Sequence, residues 1–183
     1  MNTAFLKTSL LSLITLASAL TLTGCGSSGG DDDFIGAAHV SISASPTTID
    51  TGDRTSIKIT ISDLHKDGIL LKIYHPSAFS YVQNSASLRI EDKEYHLDPD
   101  IDIASGEFVK AGRFLVFFLS HKSFGESQYG ELRFELEGMS TIRSGEVGVD
   151  ADVNDPLIDD SVEFEPSDPK YASEASVWIT VIE

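Results

Sequence analysis

Closely spaced carboxylates are the residues of this chain with the clearest capacity for chemistry. Asp150-Ala151-Asp152-Val153-Asn154-Asp155-Pro156-Leu157-Ile158-Asp159-Asp160 is the densest acidic stretch, with Glu163 and Glu165 just beyond it. Calcium takes about six to eight oxygen ligands, and clustered Asp and Asn side chains with loop carbonyls between them supply such a set. Asp150, Asp152, Asn154, Asp155, Asp159 and Asp160 are therefore the candidate calcium ligands. A strand ending near Asp152 puts Asp150 and Asp152 on one face, opposite Val147 and Val149. The competing reading is a solvated acidic loop, and both readings stand on sequence alone.

Other constellations are weaker. Glu91-Asp92-Lys93-Glu94 and Asp98-Pro99-Asp100-Ile101-Asp102 form a second acidic region that reads as surface. His39, His65, His75, His96 and His121 have no metal-binding spacing. The chain has no Gly-x-Ser-x-Gly elbow, no phosphate-cradling glycine loop and one cysteine, Cys25. Paired carboxylates leave a glycosidase-type hydrolase as a distant alternative. Phe114, Phe117, Phe118, Phe124 and Phe134 are expected in the core. Tyr74, Tyr81, Tyr129, Tyr171 and Trp178 are candidates for a contact face toward glycan or protein. Trp178 alternates with Val177 and Ile179, so it points away from their side and is the candidate ligand-contact residue. The net charge of −16 excludes phosphate-backbone recognition and hence nucleic acid.

The elements that must position these residues are strands. Val40, Ile42 and Ala44, then Ile57, Ile59 and Ile61, then Leu132, Phe134 and Leu136, then Val147 and Val149, and finally Val177, Ile179 and Val181 all recur with period two. That alternation sets one face of each strand on a core and the other in water. Ile69 to Tyr74 and Phe114 to Leu119 are apolar throughout, as expected of central strands covered on both faces. Ser87-Leu88-Arg89-Ile90 and Tyr95-His96-Leu97, joined by Glu91-Asp92-Lys93-Glu94, read as a hairpin. Turn residues recur between the runs, as in Thr51-Gly52-Asp53 and Lys66-Asp67-Gly68. The fold class is all-β, a single antiparallel sandwich of about eight or nine strands over residues 36–183.

The N-terminus carries a targeting pattern. Lys7 precedes an apolar run from Leu10 to Leu22, too short to span a bilayer, which ends at Leu22-Thr23-Gly24-Cys25. This resembles a bacterial lipobox, which implies cleavage after residue 24 and a lipid (diacylglyceryl, with palmitate-type acylation) on Cys25. Residues 1–24 contain one Lys and no acid, so the mature chain is one unit more negative than the whole. Such a chain does not adsorb to anionic lipid by charge, and two or three acyl chains would hold it stably. Gly26 after the cysteine implies the outer membrane if the organism has one, and otherwise the outer face of the plasma membrane. Residues 25–35 are expected to be the lipidated cysteine and its tether, whose stretch of Gly, Ser and Asp from Gly26 to Asp33 has an r.m.s. span of about 15 Å.

The sandwich segment has its own resemblance. Thr51-Gly52-Asp53 before Ile57-Lys58-Ile59-Thr60-Ile61, then Leu71-Lys72-Ile73-Tyr74-His75-Pro76 and Tyr81-Val82-Gln83-Asn84-Ser85-Ala86, is similar to the Ig-like DUF11-type repeats of bacterial surface proteins. The final Gly145-Glu146-Val147 to Val177-Trp178-Ile179-Thr180-Val181 fits their closing strands. The resemblance implies scaffolding or adhesion and no catalysis. Asp150-x-Asp152-x-Asn154 opens like an EF-hand, but Asp155 stands where Gly is required and Ser161 where Glu is required. Asp152-Val153-Asn154-Asp155-Pro156 is closer to the calcium linker of cadherins. The expected protein is thus a lipid-anchored envelope lipoprotein with a binding or structural sandwich, optionally calcium-stiffened. Its partner is an envelope protein or a glycan. The alternative is a cohesin-like or lectin-like carbohydrate-binding module.

Overall fold

Alternating Ile, Val and Leu with polar residues builds strands that bury one edge of every side-chain pair, and these stack into two layers. The computed structural model describes residues 37–104, 112–153 and 174–183. Cys25, the tether, Asn154, Asp155, Asp159, Asp160 and Tyr171 lie outside the described residues.

In chain order the strands are β1 (His39–Ser45), β2 (Thr48–Asp50), β3 (Arg54–Ser62), β4 (Ile69–Pro76), β5 (Phe79–Tyr81) and β6 (Ser87–Ile90). They continue with β7 (Lys93–His96), β8 (Ile101–Ala104), β9 (Gly112–Leu119), β10 (Tyr129–Gly138), β11 (Ile142–Val153) and β12 (Glu174–Ile182). One sheet has the order β1-β3-β10-β6-β7, with β5 also paired to β10; the other runs β2-β12-β11-β4-β9-β8. Every pairing is antiparallel except β2 with β12. The all-β sandwich is as expected, with twelve strands where eight or nine were counted. The extra ones, β2, β5 and β8, are three or four residues long, too short to show a period.

The core lies between the sheets. Ile57, Ile59, Ile61, Leu132 and Leu136 face it from the first sheet, and Leu71, Ile73, Leu115, Phe117, Val147, Val149 and Ile179 from the second, all fully buried. The β6–β7 hairpin forms with a tighter turn than expected: Ile90 pairs with Lys93, so only Glu91 and Asp92 make the corner, and Glu91 takes φ 53°. Lys66-Asp67-Gly68 turns with Gly68 at φ 85°, where a Cβ would stand 2.7 Å from the Leu119 carbonyl oxygen. That position needs glycine twice over, for its backbone and for its space.

Period two assigns β9 differently from its apolar composition. Phe117 faces the core, whereas Phe118 is 47% exposed on the opposite face, so Phe118 is not a core residue. Phe114, Phe124 and Phe134 are buried as expected. A single helical turn, α1 (His121–Phe124), follows β9; the Ser120 hydroxyl caps it by accepting from the Lys122 N–H at 3.3 Å. It seats Phe124 in the core, and four residues carry no helical period to read in advance.

Candidate functional site

Strand β4 is apolar from Ile69 to Ile73 except for Lys72, and that one cation organises the outer face of the second sheet. Leu71 and Ile73 point inward, so Lys72 points outward, into a region where its side chain is only 10% exposed. The register of β4 with β11 sets Asp150 directly opposite Lys72, and Asp152 two residues along the same face. Lys72 Nζ lies 3.2 Å from Asp150 Oδ2 and also contacts Asp152 Oδ2. Across β11, Asp150 is paired with Glu174 of β12, so a third carboxylate flanks the cluster. Burial pulls the Lys72 ammonium down. The hydrogen bond from Lys72 to Asp152 and the charges of Asp150 and Asp152 outweigh it, holding Lys72 above the ordinary lysine value.

This geometry places Asp150 and Asp152 on one face, opposite Val147 and Val149, as their parity predicts. What the carboxylates meet there is the chain's own ammonium. Among the described residues no group of three or more His, Cys, Asp or Glu is placed to hold a metal ion. Lys72 itself was not singled out from the sequence, although a lone lysine inside Ile69-Leu70-Leu71-Lys72-Ile73-Tyr74 is the kind of signal that a buried counter-charge leaves.

Trp178 sits on the same outer face of the second sheet, 56% exposed, directly across from Glu146 of β11. In the next row Gly148 faces Ser176, so only small side chains adjoin the indole on that side. The other aromatics do not join it. Tyr74 is buried against Phe114, with ring centroids 5.6 Å apart. Burial and then the Glu146 charge push the Tyr74 hydroxyl above its usual pKa. Tyr129 is exposed on β10, in the other sheet, and Tyr81 packs on Phe134. Among the described residues the expected shared aromatic face is therefore corrected to Trp178 alone, because Tyr74, Tyr81, Tyr129 and Trp178 fall on different sheets or at different depths.

The second acidic region is surface, as expected, but two of its acids have structural partners. Asp100 Oδ2 accepts the Phe118 N–H at 2.8 Å, and Asp98 Oδ1 accepts from the Tyr81 hydroxyl and the Asn84 N–H. A groove of about 370 Å³ runs between the β6–β7 hairpin and the end of β9, lined by Leu88, Tyr95, Leu97, Phe118 and Lys122. His39 pairs with Asp63 and His65 with Asp67, both at the surface, while His75 is fully buried.

No protein-family model matches this sequence, and no curated protein matches it. Among solved structures the chain is similar to the T6 backbone pilin of serotype M6 Streptococcus pyogenes, with TM-score 0.51 and 13% identity, over 79% of this chain and 36% of the pilin. It is also similar to the Corynebacterium diphtheriae major pilin SpaA (TM-score 0.46, 8% identity, 71% of this chain and 34% of that one). A cohesin module from a Clostridium perfringens family 33 glycoside hydrolase gives TM-score 0.39 and 13% identity, over 80% and 97% of the two chains. The chain spans about a third of the length of these pilins. At such identities the T6 pilin likeness establishes a fold alone, the Ig-like β-sandwich.

Proposed function

We propose that this chain is a lipid-anchored, non-catalytic binding module of a bacterial cell envelope, and that it engages a neutral glycan through the second sheet around Trp178. The observation that carries this reading is the exposure of Trp178. An indole held open on a sheet face leaves a large apolar area in water, and Trp is among the residue types most enriched at the energetic centres of contact surfaces. A flat ring stacks on the C–H face of a sugar, and the carboxylate of Glu146 beside it accepts hydroxyl hydrogens. Gly148 and Ser176 leave lateral room for a second sugar ring. The net charge of −16 disfavours anionic polymers, which is why the expected glycan is neutral.

Trp178 is the only tryptophan, so its fluorescence reports on this face directly. Titration with soluble neutral oligosaccharides, a β-linked glucan series first, is expected to shift and quench the emission saturably. Trp178→Ala is expected to lose at least about tenfold in affinity for the same polysaccharide in gel retardation, or roughly 1.4 kcal/mol. An emission spectrum unchanged across the series, with equal retardation of both proteins, would remove the glycan and leave a protein partner as the ligand class. The anchor has its own expected result: Cys25→Ala loses incorporation of an alkynyl palmitate label and moves from the membrane to the soluble fraction.

A further inference from the structure

We propose that Lys72 and Asp152 are the two ends of an intramolecular amide crosslink that joins β4 to β11 at the centre of the second sheet. Four features of the geometry support the bond. The Lys72 amine is in contact with an oxygen of the Asp152 carboxylate, so the nucleophile stands beside the group whose Cγ it would attack. Both groups project from paired strands inside a six-stranded sheet, with β9 on one flank and β12 on the other. Holding reactants in this way replaces a bimolecular encounter with a fixed approach, worth several powers of ten in rate. The Lys72 side chain is nine-tenths buried, which removes the competing water. Finally, a second carboxylate, Asp150, stands 3.2 Å from the same nitrogen and is 8% exposed, placed to carry a proton.

The step balances without an oxidant or a co-reactant. Within the contact pair one proton passes from the Lys72 ammonium to the Asp152 carboxylate, giving a neutral amine and a neutral carboxyl. In a desolvated site that exchange removes two charges together, which lowers its cost. The nitrogen lone pair then forms the N–C bond at Asp152 Cγ. Asp150 takes a proton from the nitrogen and delivers it to the departing hydroxyl; the C–O bond breaks, water leaves, and Asp150 returns to carboxylate. One ammonium and one carboxylate become one amide, and the net charge of the chain is unchanged. The product closes a loop of about 80 residues across the strands that any pull between the two halves of the sheet would separate.

Mass spectrometry of the full chain tests this. Lys72→Arg keeps a cation between the carboxylates, so it keeps the fold, but its guanidinium does not condense. Corrected for the substitution, the wild-type chain is expected to be lighter than Lys72→Arg by one water. Its tryptic digest is expected to contain a branched peptide joining residues 72 and 152, with no cleavage after Lys72. Asp152→Asn is expected to form the same amide by releasing ammonia, and Asp150→Asn to leave a measurable unlinked fraction. A folded wild-type chain of full sequence mass, cleaved normally after Lys72, overturns the proposal. So does a water loss that maps to any other residue pair.

Discussion

Lys72→Met is expected to destabilise the domain by about 3–5 kcal/mol, because it leaves Asp150 and Asp152, on the covered outer face of the second sheet, without their counter-ion. Asp150 and Lys72 are 8% and 10% exposed, so water cannot take over the role of the missing ammonium. For a domain of this size each kcal/mol is worth about 2–4 °C, and the melting temperature should fall by roughly 6–20 °C. Removing all three charges together, as Lys72→Met with Asp150→Leu and Asp152→Leu, should recover most of that loss, since the penalty comes from stranded charge. The pH dependence has a definite sign. Burial lowers the Lys72 pKa, and Asp152 and Asp150 raise it by more, so the folded value lies above 10.5. A lysine raised on folding contributes its full stabilisation below pH 10.5 and loses it as pH climbs through the folded value. Denaturant titrations at pH 8 and pH 11 should therefore show the gap between wild type and Lys72→Met shrinking at the higher pH if Lys72 is an ammonium. A linked Lys72 has no such proton to lose, and the gap then persists.

How far such a site can be read in advance depends on which contacts are local. The inward faces of β3, β10, β11 and β12 follow from parity alone, and Ile57, Ile59, Ile61, Leu132, Val147, Val149 and Ile179 are all buried as that parity requires. The same rule sends Trp178, Asp150 and Asp152 outward. Parity does not say what lies across the sheet. The partner of Asp150 is set by the register of β11 on β4, which pairs two residues far apart in the chain, Lys72 and Asp150, and no local pattern encodes that alignment. Nor does parity tell how deeply an outward face is covered. Tyr74 and Trp178 both point out of the second sheet, yet Tyr74 packs under cover against Phe114 while Trp178 stays open. Short strands escape for a third reason. Phe79 of β5 is core, but its strand has three residues, and its place is fixed by pairing with Leu136, Glu137 and Gly138 rather than by its own sequence.

Phe117 and Phe118 are adjacent, identical in type, and expected to behave oppositely. Phe117 is fully buried between the sheets, opposite Leu71 in the register of β9 with β4. Truncation to Ala removes a whole ring from a packed interior, and Phe117→Ala should cost about 3–5 kcal/mol in equilibrium denaturation. Phe118 lies opposite Leu70 on the other face, 47% exposed, and lines the groove beside Tyr95. Its backbone N–H, held by Asp100 at 2.8 Å, survives the substitution. Phe118→Ala should therefore stay within about 1 kcal/mol of wild type. The pair tests more than two side chains. A register shifted by one residue would exchange the roles of Phe117 and Phe118, since a strand's faces alternate with a period of two. The same shift in β4 would turn Lys72 into the core and Leu71 out of it. A tolerated Phe117→Ala with a costly Phe118→Ala would thus displace the Lys72 cluster from the outer face. The expected order, with Phe117 costly and Phe118 cheap, is the condition under which Lys72, Asp150 and Asp152 meet at all.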